Sequence, residues 1–377
     1  MSHLLVTNDF PPKIGGIQNY LYELWRRLPP EDVTVLTTHF PGAEGFDRKQ
    51  AFRVVRSSAS VLLPTPDLTR RIRQLATDVG AGLVVVDPAL PLGLVARRLD
   101  LPYGVVLHGA EVTVPGRLPL ASGLLASVLG PATLLIAAGG YPAEEARRVL
   151  RQRMPPVVIV PPGVDTERFR PLTAAERGQA RARFGLPVDG RLVVSVSRLV
   201  PRKGMDVLIR AVGLLRPAMP DLCLAIGGQG RDRLRLEGLV ETEGLGGAVR
   251  MLGRVAEDDL PLLDGAADVW AMLCRDRWHG LEQEGFGIVF LEAAAAGVPQ
   301  VAGRSGGAQE AVLHGETGFV VDDPSDPAAA SAALRSLLEE PERRRCLGAA
   351  ARKRVETDFD YGMLADRLRL ALEQAGA

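Results

Sequence analysis

Two carboxylates with seven residues between them, Glu284 and Glu292, lie in the stretch EGFGIVFLEAAAAGVPQ, residues 284–300. Gly285 and Gly287 predict a flexible turn, and Ile288 to Ala296 an alanine-rich helix ended by Gly297 and Pro299. Glu284 then stands at the mouth of the helix. Glu292 lies inside it, about two turns further on at a rise of about 1.5 Å per residue. The free backbone N–H groups of Gly287, Ile288 and Val289 would face a diphosphate. A carboxylate within the helix suits the paired hydroxyls of a ribose. Glu292 also has a plainer reading as a helix surface charge, but flanked by Leu291 and Ala293–Ala296 that surface would be unusually apolar.

Cations for the same chemistry occur in SRLVPRKGMDVLI, residues 197–209. Arg198 and Lys203 share one loop after an apolar run, with Gly204 and a helical pattern following. Two fixed positive charges there can neutralise a diphosphate as it departs and gains charge. Arg202 beside them is expected to be only a solvated charge.

Near the N-terminus, PPKIGGIQNYLYEL, residues 11–24, places Gly15 and Gly16 between an apolar run and a helix starting near Ile17. Glycines there admit backbone conformations closed to other residues and let an anion approach the helix N-terminus. Gln18, in the first helical turn, is positioned to hydrogen-bond a hydroxyl-rich acceptor, or else is an ordinary surface residue. His108 ends an apolar run in VVLHGAE, residues 105–111, where an imidazole can hold substrate hydroxyls. A dinucleotide fingerprint is tempting at IGGQGRDRLRLEG, residues 226–238, but Arg233 occupies the third glycine position. A nicotinamide dehydrogenase therefore drops to a runner-up.

These segments need elements to position them. Short β-branched runs, each followed by a turn and a helical pattern, recur along the chain. Leu4–Val6, Val33–Leu36, Leu83–Val86, Gly104–Leu107, Leu134–Ile136 and Val157–Val160 fill the first half. Leu192–Val196, Leu222–Ile226, Val249–Leu252, Val269–Met272, Gln300–Ala302 and Phe319–Val321 fill the second. Continuous apolar strands alternating with helices predict parallel sheets covered on both faces, in two doubly wound α/β domains of about six strands each. The boundary is expected near PPGVDTERFRP, residues 161–171, giving domains over 1–170 and 171–360. The tail over 361–377 repeats Leu and Ala at helical spacing, a stripe that packing back onto the first domain would bury.

With 45 Lys and Arg against 45 Asp and Glu, the chain lacks the basic excess that a nucleic-acid partner requires. Cys223, Cys274 and Cys346 have no paired spacing, which argues against a disulfide framework or a zinc knuckle and for a reducing compartment. The start, MSHLLVTNDFPP, lacks a secretory pattern. Leu118 to Ala138 is too interrupted by Pro119, Gly123, Gly130 and Pro131 to span a membrane and reads as helix, loop and strand. A cytoplasmic protein is expected. Residues 48–73 set Arg48, Lys49, Arg53, Arg56, Arg70, Arg71 and Arg73 against Asp67 alone. That run reads either as a solvated loop and helix face or as a surface for anionic lipid or a phosphorylated acceptor.

Together these motifs resemble the family 4 glycosyltransferases of the GT-B fold. The resemblance spans nearly the whole chain and rests on Gly15–Gly16, HGAE at 108–111, PPGVD at 161–165, Arg198 with Lys203, and the Glu284–Glu292 pair. NDFPPKIGGIQNYL and AMLCRDRWHGLEQEGFGIVFLEA are similar in wording to actinobacterial phosphatidylinositol mannoside mannosyltransferases that use GDP-mannose.

The resemblance implies two Rossmann-like domains facing a central cleft. It implies retaining transfer of a hexose, mannose from GDP-mannose foremost, with no metal and no cofactor beyond the nucleotide sugar. Gly16, Arg198 and Lys203 are expected to hold the diphosphate, with Gly15 and the Gly287–Val289 amides beside it. Glu292 would take the ribose and Glu284 and His108 the transferred sugar. Backbone near Val255, in LGRVAEDDL, would touch the base. The acceptor is expected to be a lipid or glycolipid of the phosphatidylinositol mannoside type. Residues 48–73 and the helix carrying Trp25, Arg26 and Arg27 are expected to rest on the inner face of the cell membrane. A soluble acceptor with another donor is the neighbouring alternative, and a nucleotide-sugar 2-epimerase the one of different class. Some family members carry a second histidine and an aromatic stretch after the HG pair, where this chain reads AEVTVPGRLPL.

Overall fold

The architecture comes from a computed structural model that describes residues 1–151 and 154–376. The chain divides into two compact units, Met1–Gly163 with Tyr361–Ala377, and Val164–Asp360.

The first unit is built on seven parallel strands: β1 (His3–Thr7), β2 (Val33–Thr38), β3 (Arg53–Ser57), β4 (Leu83–Asp87), β5 (Tyr103–Leu107), β6 (Leu134–Ala137) and β7 (Val157–Ile159). They lie in the order β3-β2-β1-β4-β5-β6-β7. Strand side chains alternate between faces, and both faces here are dry. Leu4, Val6, Val84, Val86, Val105 and Leu107 enter one core with Ile72, Val95 and Val128. Their neighbours Leu5, Leu83, Val85 and Val106 enter the other with Tyr20, Leu24 and Trp25. That two-sided burial is why the strands are apolar at every position rather than at every second one. Strand β3 was not expected. RVVRS is an edge strand pairing only with β2, and an edge is where charged side chains suppress pairing with another chain.

The helix Tyr361–Ala375 buries Tyr361, Leu364, Leu368 and Leu372 in the core that holds Tyr20 and Trp25. The stretch 118–138 is a helix, Pro119–Leu129, then a turn and β6. No helix among the described residues is long and apolar enough to cross a membrane.

The second unit has six parallel strands: β8 (Leu192–Val196), β9 (Cys223–Gly227), β10 (Val249–Gly253), β11 (Val269–Met272), β12 (Gln300–Gly303) and β13 (Gly318–Val321). Their order is β10-β9-β8-β11-β12-β13. The second unit begins at Val164 rather than at residue 171, because Val164 donates its N–H to the Phe359 carbonyl at 3.0 Å and bridges Asp360. Phe169 is buried in the core of this unit.

In each sheet the chain reverses its direction of winding at one place, between β1 and β4 and between β8 and β11. Open α/β sheets bind ligands beyond the carboxyl ends of such strands. The expected site segments follow the carboxyl ends of β1, β5, β8, β10 and β11, and Asp87 ends β4.

Candidate active site

In the second unit, Lys203 closes a short turn, Pro201–Lys203, and is buried. Its Nζ lies 2.6 Å from Glu284 Oε2, and Arg202 Nη1 lies 2.7 Å from the same oxygen. Glu284 is also buried, in the loop ahead of the helix Ile288–Ala295. Burial pushes its carboxyl up, but Lys203 and then Arg202 outweigh that and hold it below the ordinary carboxylate range. Its main chain is fastened on both sides: the Glu284 N–H donates to Ser305 Oγ at 3.1 Å and its carbonyl accepts from the Gly307 N–H at 3.0 Å. Ser305 passes a second hydrogen bond to Asp276 at 2.7 Å. Arg202 is thus not a solvated bystander. It shares the carboxylate with Lys203 and is only 14% exposed.

Arg198 is exposed, and its guanidinium has no hydrogen bond or ion pair among the described residues. Its loop is nonetheless placed with care. The Ser197 N–H donates to the Gly227 carbonyl and the Leu199 N–H to the Gln229 carbonyl, at 3.1 and 2.9 Å. A Cβ on Gly228 would sit 1.9 Å from the Ser197 oxygen, and one on Gly230 2.1 Å from the Leu199 oxygen. The failed dinucleotide fingerprint therefore has a structural cause: its glycines let the Arg198 loop lie against them. Val255, half-buried beyond β10, has a methyl 2.9 Å from where a Cβ on Gly227 would lie.

The helix Ile288–Ala295 starts from Gly287, whose φ of 87° is open to glycine and strained for other residues. The first-turn N–H groups of Ile288 and Val289 have no carbonyl of their own helix to bond, as in any helix. Glu292, half-buried in this helix, has no hydrogen-bond or ion-pair partner among the described residues. Burial first, then Glu257, push its carboxyl up to about 7, against the pull of Arg168. Asp264 is buried, hydrogen-bonded by Trp270 Nε1 at 3.0 Å, and pushed far up by burial and by Glu292. An unpartnered, costly carboxylate of this kind can accept hydrogen bonds from paired hydroxyls.

In the first unit, the helix Gly16–Trp25 follows Gly15, whose φ of 166° is ordinary extended backbone. The backbone freedom expected at Gly15 is therefore not used. A Cβ there would fall 2.1 Å from Gln18 Oε1. Gln18 is buried, and its Nε2 donates to Asp9 at 2.5 Å, so its amide is held within the loop rather than left on the surface. Lys13 Nζ meets the same Asp9 oxygen at 2.7 Å.

His108 follows β5, and its Nε2 lies 2.9 Å from Asp87 Oδ1. Thr7 donates to the other Asp87 oxygen at 2.7 Å. Tyr20 packs edge-on to the imidazole with ring centres 5.3 Å apart. Burial would lower the imidazole pKa, but the charge and hydrogen bond of Asp87, with Glu111 and Asp9, raise it overall. With Nε2 committed to Asp87, Nδ1 is left for a ligand, as acceptor when the ring is neutral and as donor when it is charged. The rest of HGAE has a local purpose: Glu111 accepts the N–H groups of His108 and Gly109 and so ties this loop to the start of the helix Ala110–Gly116.

Asp87, Thr7, Asp9 and Arg202 were missed from sequence. The available signal for Asp87 was an acid ending the run LVVVD, one strand away from His108. One expected membrane contact is overturned. Trp25 is fully buried in the core, while Arg26, which like Arg27 pairs with Glu23, is exposed. Arg56 is bound by Asp47 at 2.7 Å and donates to the Pro11 and Thr38 carbonyls, so it fastens the glycine loop. Arg48, Lys49, Arg53, Arg70, Arg71 and Arg73 are exposed.

Comparison with known proteins agrees with this geometry. The family described as Glycosyltransferase Family 4 matches residues 14–168, and Glycosyl transferases group 1 matches residues 176–354. The chain is 40% identical to the GDP-mannose-dependent alpha-(1-6)-phosphatidylinositol monomannoside mannosyltransferase of Mycobacterium tuberculosis, over 97% of this chain and 96% of that one. It is 35% identical to the enzyme of Corynebacterium glutamicum named for the monoacylated form of that acceptor, over 98% and 97% of the two chains. Anabaena HepE in complex with UDP superposes with a TM-score of 0.84 at 20% identity, covering 99% of this chain and 100% of that one, which shows the fold. Two doubly wound parallel sheets, matched family regions in both halves and end-to-end identity with mannosyltransferases make this chain a member of glycosyltransferase family 4, with the GT-B fold.

Proposed function

We propose that this glycosyltransferase moves mannose from GDP-mannose to a hydroxyl of a phosphatidylinositol mannoside, with retention at the anomeric carbon and without a metal ion. The observation that carries the reading is the Arg202–Lys203–Glu284 cluster ahead of the helix that holds Glu292, a carboxylate with no partner among the described residues, in a chain similar end to end to enzymes named for that donor and acceptor. Arg198, Lys203 and the amides of Gly287, Ile288 and Val289 meet the charge of the diphosphate, and in the first unit the amide end of the helix at Gly15–Gly16 is open to an anion. Glu292 takes the ribose hydroxyls, and backbone near Val255 meets the base. Glu284 holds hydroxyls of the transferred mannose; in the first unit His108 offers Nδ1 to a sugar hydroxyl, and Gln18 keeps its own loop in shape.

The bond from the anomeric carbon to the β-phosphate oxygen breaks as the acceptor oxygen bonds that carbon on the same face. The acceptor proton passes to the departing phosphate oxygen, so GDP leaves with it. No protein carboxylate needs to act as nucleophile in this account. The exposed cations of residues 48–73, with the exposed Val61 and Leu63, attach the enzyme to the anionic inner face of the membrane.

Purified protein incubated with radiolabelled GDP-mannose is expected to label phosphatidylinositol monomannoside but not inositol phosphate, with activity unchanged by a chelator. Transfer to the soluble acceptor alone would overturn the lipid assignment. Loss of activity in the chelator would overturn metal independence. Sedimentation with anionic vesicles at low salt tests the membrane surface, and protein left in the supernatant would remove it.

A further inference from the structure

Between β11 and Glu284 the chain makes a small hairpin. Arg277 and Glu282 pair across it as an isolated antiparallel bridge, and their side chains meet at 2.9 Å. The tip runs Trp278-His279-Gly280-Leu281. Trp278 and His279 both adopt left-handed backbone, with φ of 50° and 55°, although neither is glycine. Such conformations cost energy and persist where the surroundings impose them, often at ligand contacts. Trp278 is 59% exposed, whereas Trp25 and Trp270 are fully buried. The Arg277 guanidinium covers one side of the indole, 4.7 Å from the ring centre.

The hairpin is tied to the candidate site. At its base Arg275 donates its N–H to the Arg202 carbonyl at 2.9 Å and grips Asp206 through both carboxylate oxygens, at 3.0 and 2.9 Å. At its neck Glu282 also approaches Arg202 within 3.8 Å, and Arg202 holds Glu284. Alternating charges thus run Arg277, Glu282, Arg202, Glu284, Lys203, from the exposed tip to the buried carboxylate. A flat apolar plane edged by a guanidinium and a carboxylate matches a six-membered polyol ring, whose C–H face is apolar and whose rim carries hydroxyls.

Resting on the functional reading above, we propose that Trp278 is the platform on which a ring of the acceptor head group stacks, and that the Arg277–Glu282 clasp holds it in place. Trp278 is then a determinant of acceptor specificity that the donor does not touch.

Because the other two tryptophans are buried, quenching of fluorescence by acrylamide reports on Trp278. A water-soluble mannosyl-inositol phosphate head group is expected to shield it, and GDP is not. Trp278→Ala is expected to raise the acceptor KM about tenfold while the donor KM stays within about twofold, with Trp278→Phe retaining most of the affinity. Equal shielding by phosphatidylglycerol vesicles free of mannoside would overturn the proposal in favour of a membrane anchor. No shielding and an unchanged acceptor KM, in a protein that still transfers mannose, would overturn it and leave the functional reading standing. A wild-type protein that transfers no mannose to the mannoside would overturn both.

Discussion

Lys203 and Glu284 form a buried ion pair, Nζ to Oε2 at 2.6 Å, in which the cation assigned to the diphosphate is held by the carboxylate assigned to the sugar. Both charges are kept from water, so each depends on the other, and Arg202 carries the excess positive charge. A diphosphate arriving here meets a cluster whose net charge is already positive and whose geometry is already set. Preorganisation of this sort avoids reorienting charges as the leaving group develops.

Lys203→Ala is expected to lower kcat about 10²-fold. It should also cost about 2 kcal/mol of stability, less than stranding a lone buried charge because Arg202 stays on Glu284. Combining it with Glu284→Gln restores much of the stability and none of the activity. Arg202→Ala is expected to lower kcat about tenfold, a smaller loss than at Lys203 but not a silent change. Steady-state kinetics and thermal melts of the four proteins check this, and wild-type turnover in Arg202→Ala would contradict the shared carboxylate.

Glu292 is pushed up to about 7, so near neutrality it is only partly ionised. Its folded pKa lies above its ordinary value, so the folded protein binds the proton more tightly than the unfolded chain does. Its contribution to stability is therefore full below the ordinary carboxylate pKa and is lost as pH rises through about 7. Glu292→Gln is expected to raise Tm at pH 8 and leave it nearly unchanged at pH 4. In the wild type, GDP affinity should rise with pH through about 7, because the ionised carboxylate accepts the ribose hydroxyls. The variant should bind GDP more weakly, with no such rise. Titration calorimetry across pH 5.5–8.5 reads both.

His108 is held by Asp87 at 2.9 Å, with Thr7 on the second Asp87 oxygen, Tyr20 against the ring, and Glu111 and Asp9 adding negative field. Its pKa is raised on balance, so the contribution of the pair to stability is present below the ordinary histidine pKa and lost as pH rises through the raised value. Asp87→Asn is expected to flatten the fall of Tm with rising pH in that window and to lower the pH at which the imidazole titrates by NMR. On the proposed role of His108 turnover should fall, since the ring loses the partner that fixes which nitrogen is left for a ligand. An imidazole titration unmoved by the substitution would remove Asp87 from the site.

Gly228→Ala tests the loop that carries Arg198. The added Cβ would meet the Ser197 carbonyl at 1.9 Å, at a φ of 127° that side chains avoid. Displacing Ser197 displaces Arg198. The stabilisation of the protein by GDP in a thermal-shift assay is expected to shrink, beyond any drop in the Tm of the free protein. Equal GDP shifts in variant and wild type would show that the loop does not place Arg198 for the diphosphate.

Much of the fold was legible because its physics is local. Strands such as LVVVD and LVVSV are apolar at every position, and only a sheet covered on both faces requires that. Helix starts at Gly16 and Ile288 followed from glycines placed just ahead of apolar periodicity. Strand β3 escaped because RVVRS carries two arginines, as suits an edge, and its run of cations read as a loop. Arg56, counted as a surface charge, turns inward because Asp47, just outside the basic run, and the Pro11 carbonyl lie within its reach.

The types of chemistry were set by residue identity and spacing alone: a helix-borne carboxylate after a glycine turn, two cations in one loop, a histidine at a strand end. Which of them act together was decided by the sheets. Parallel strands carry the ends of β4 and β5 side by side and so bring Asp87 to His108, which are 21 positions apart. Beyond β8 and β11 the loops carry Arg202 and Lys203 to Glu284, more than 80 positions along the chain. Local propensity cannot report such meetings, because the energy that settles them belongs to the packed sheet: charges from distant segments share one buried space and must neutralise one another there.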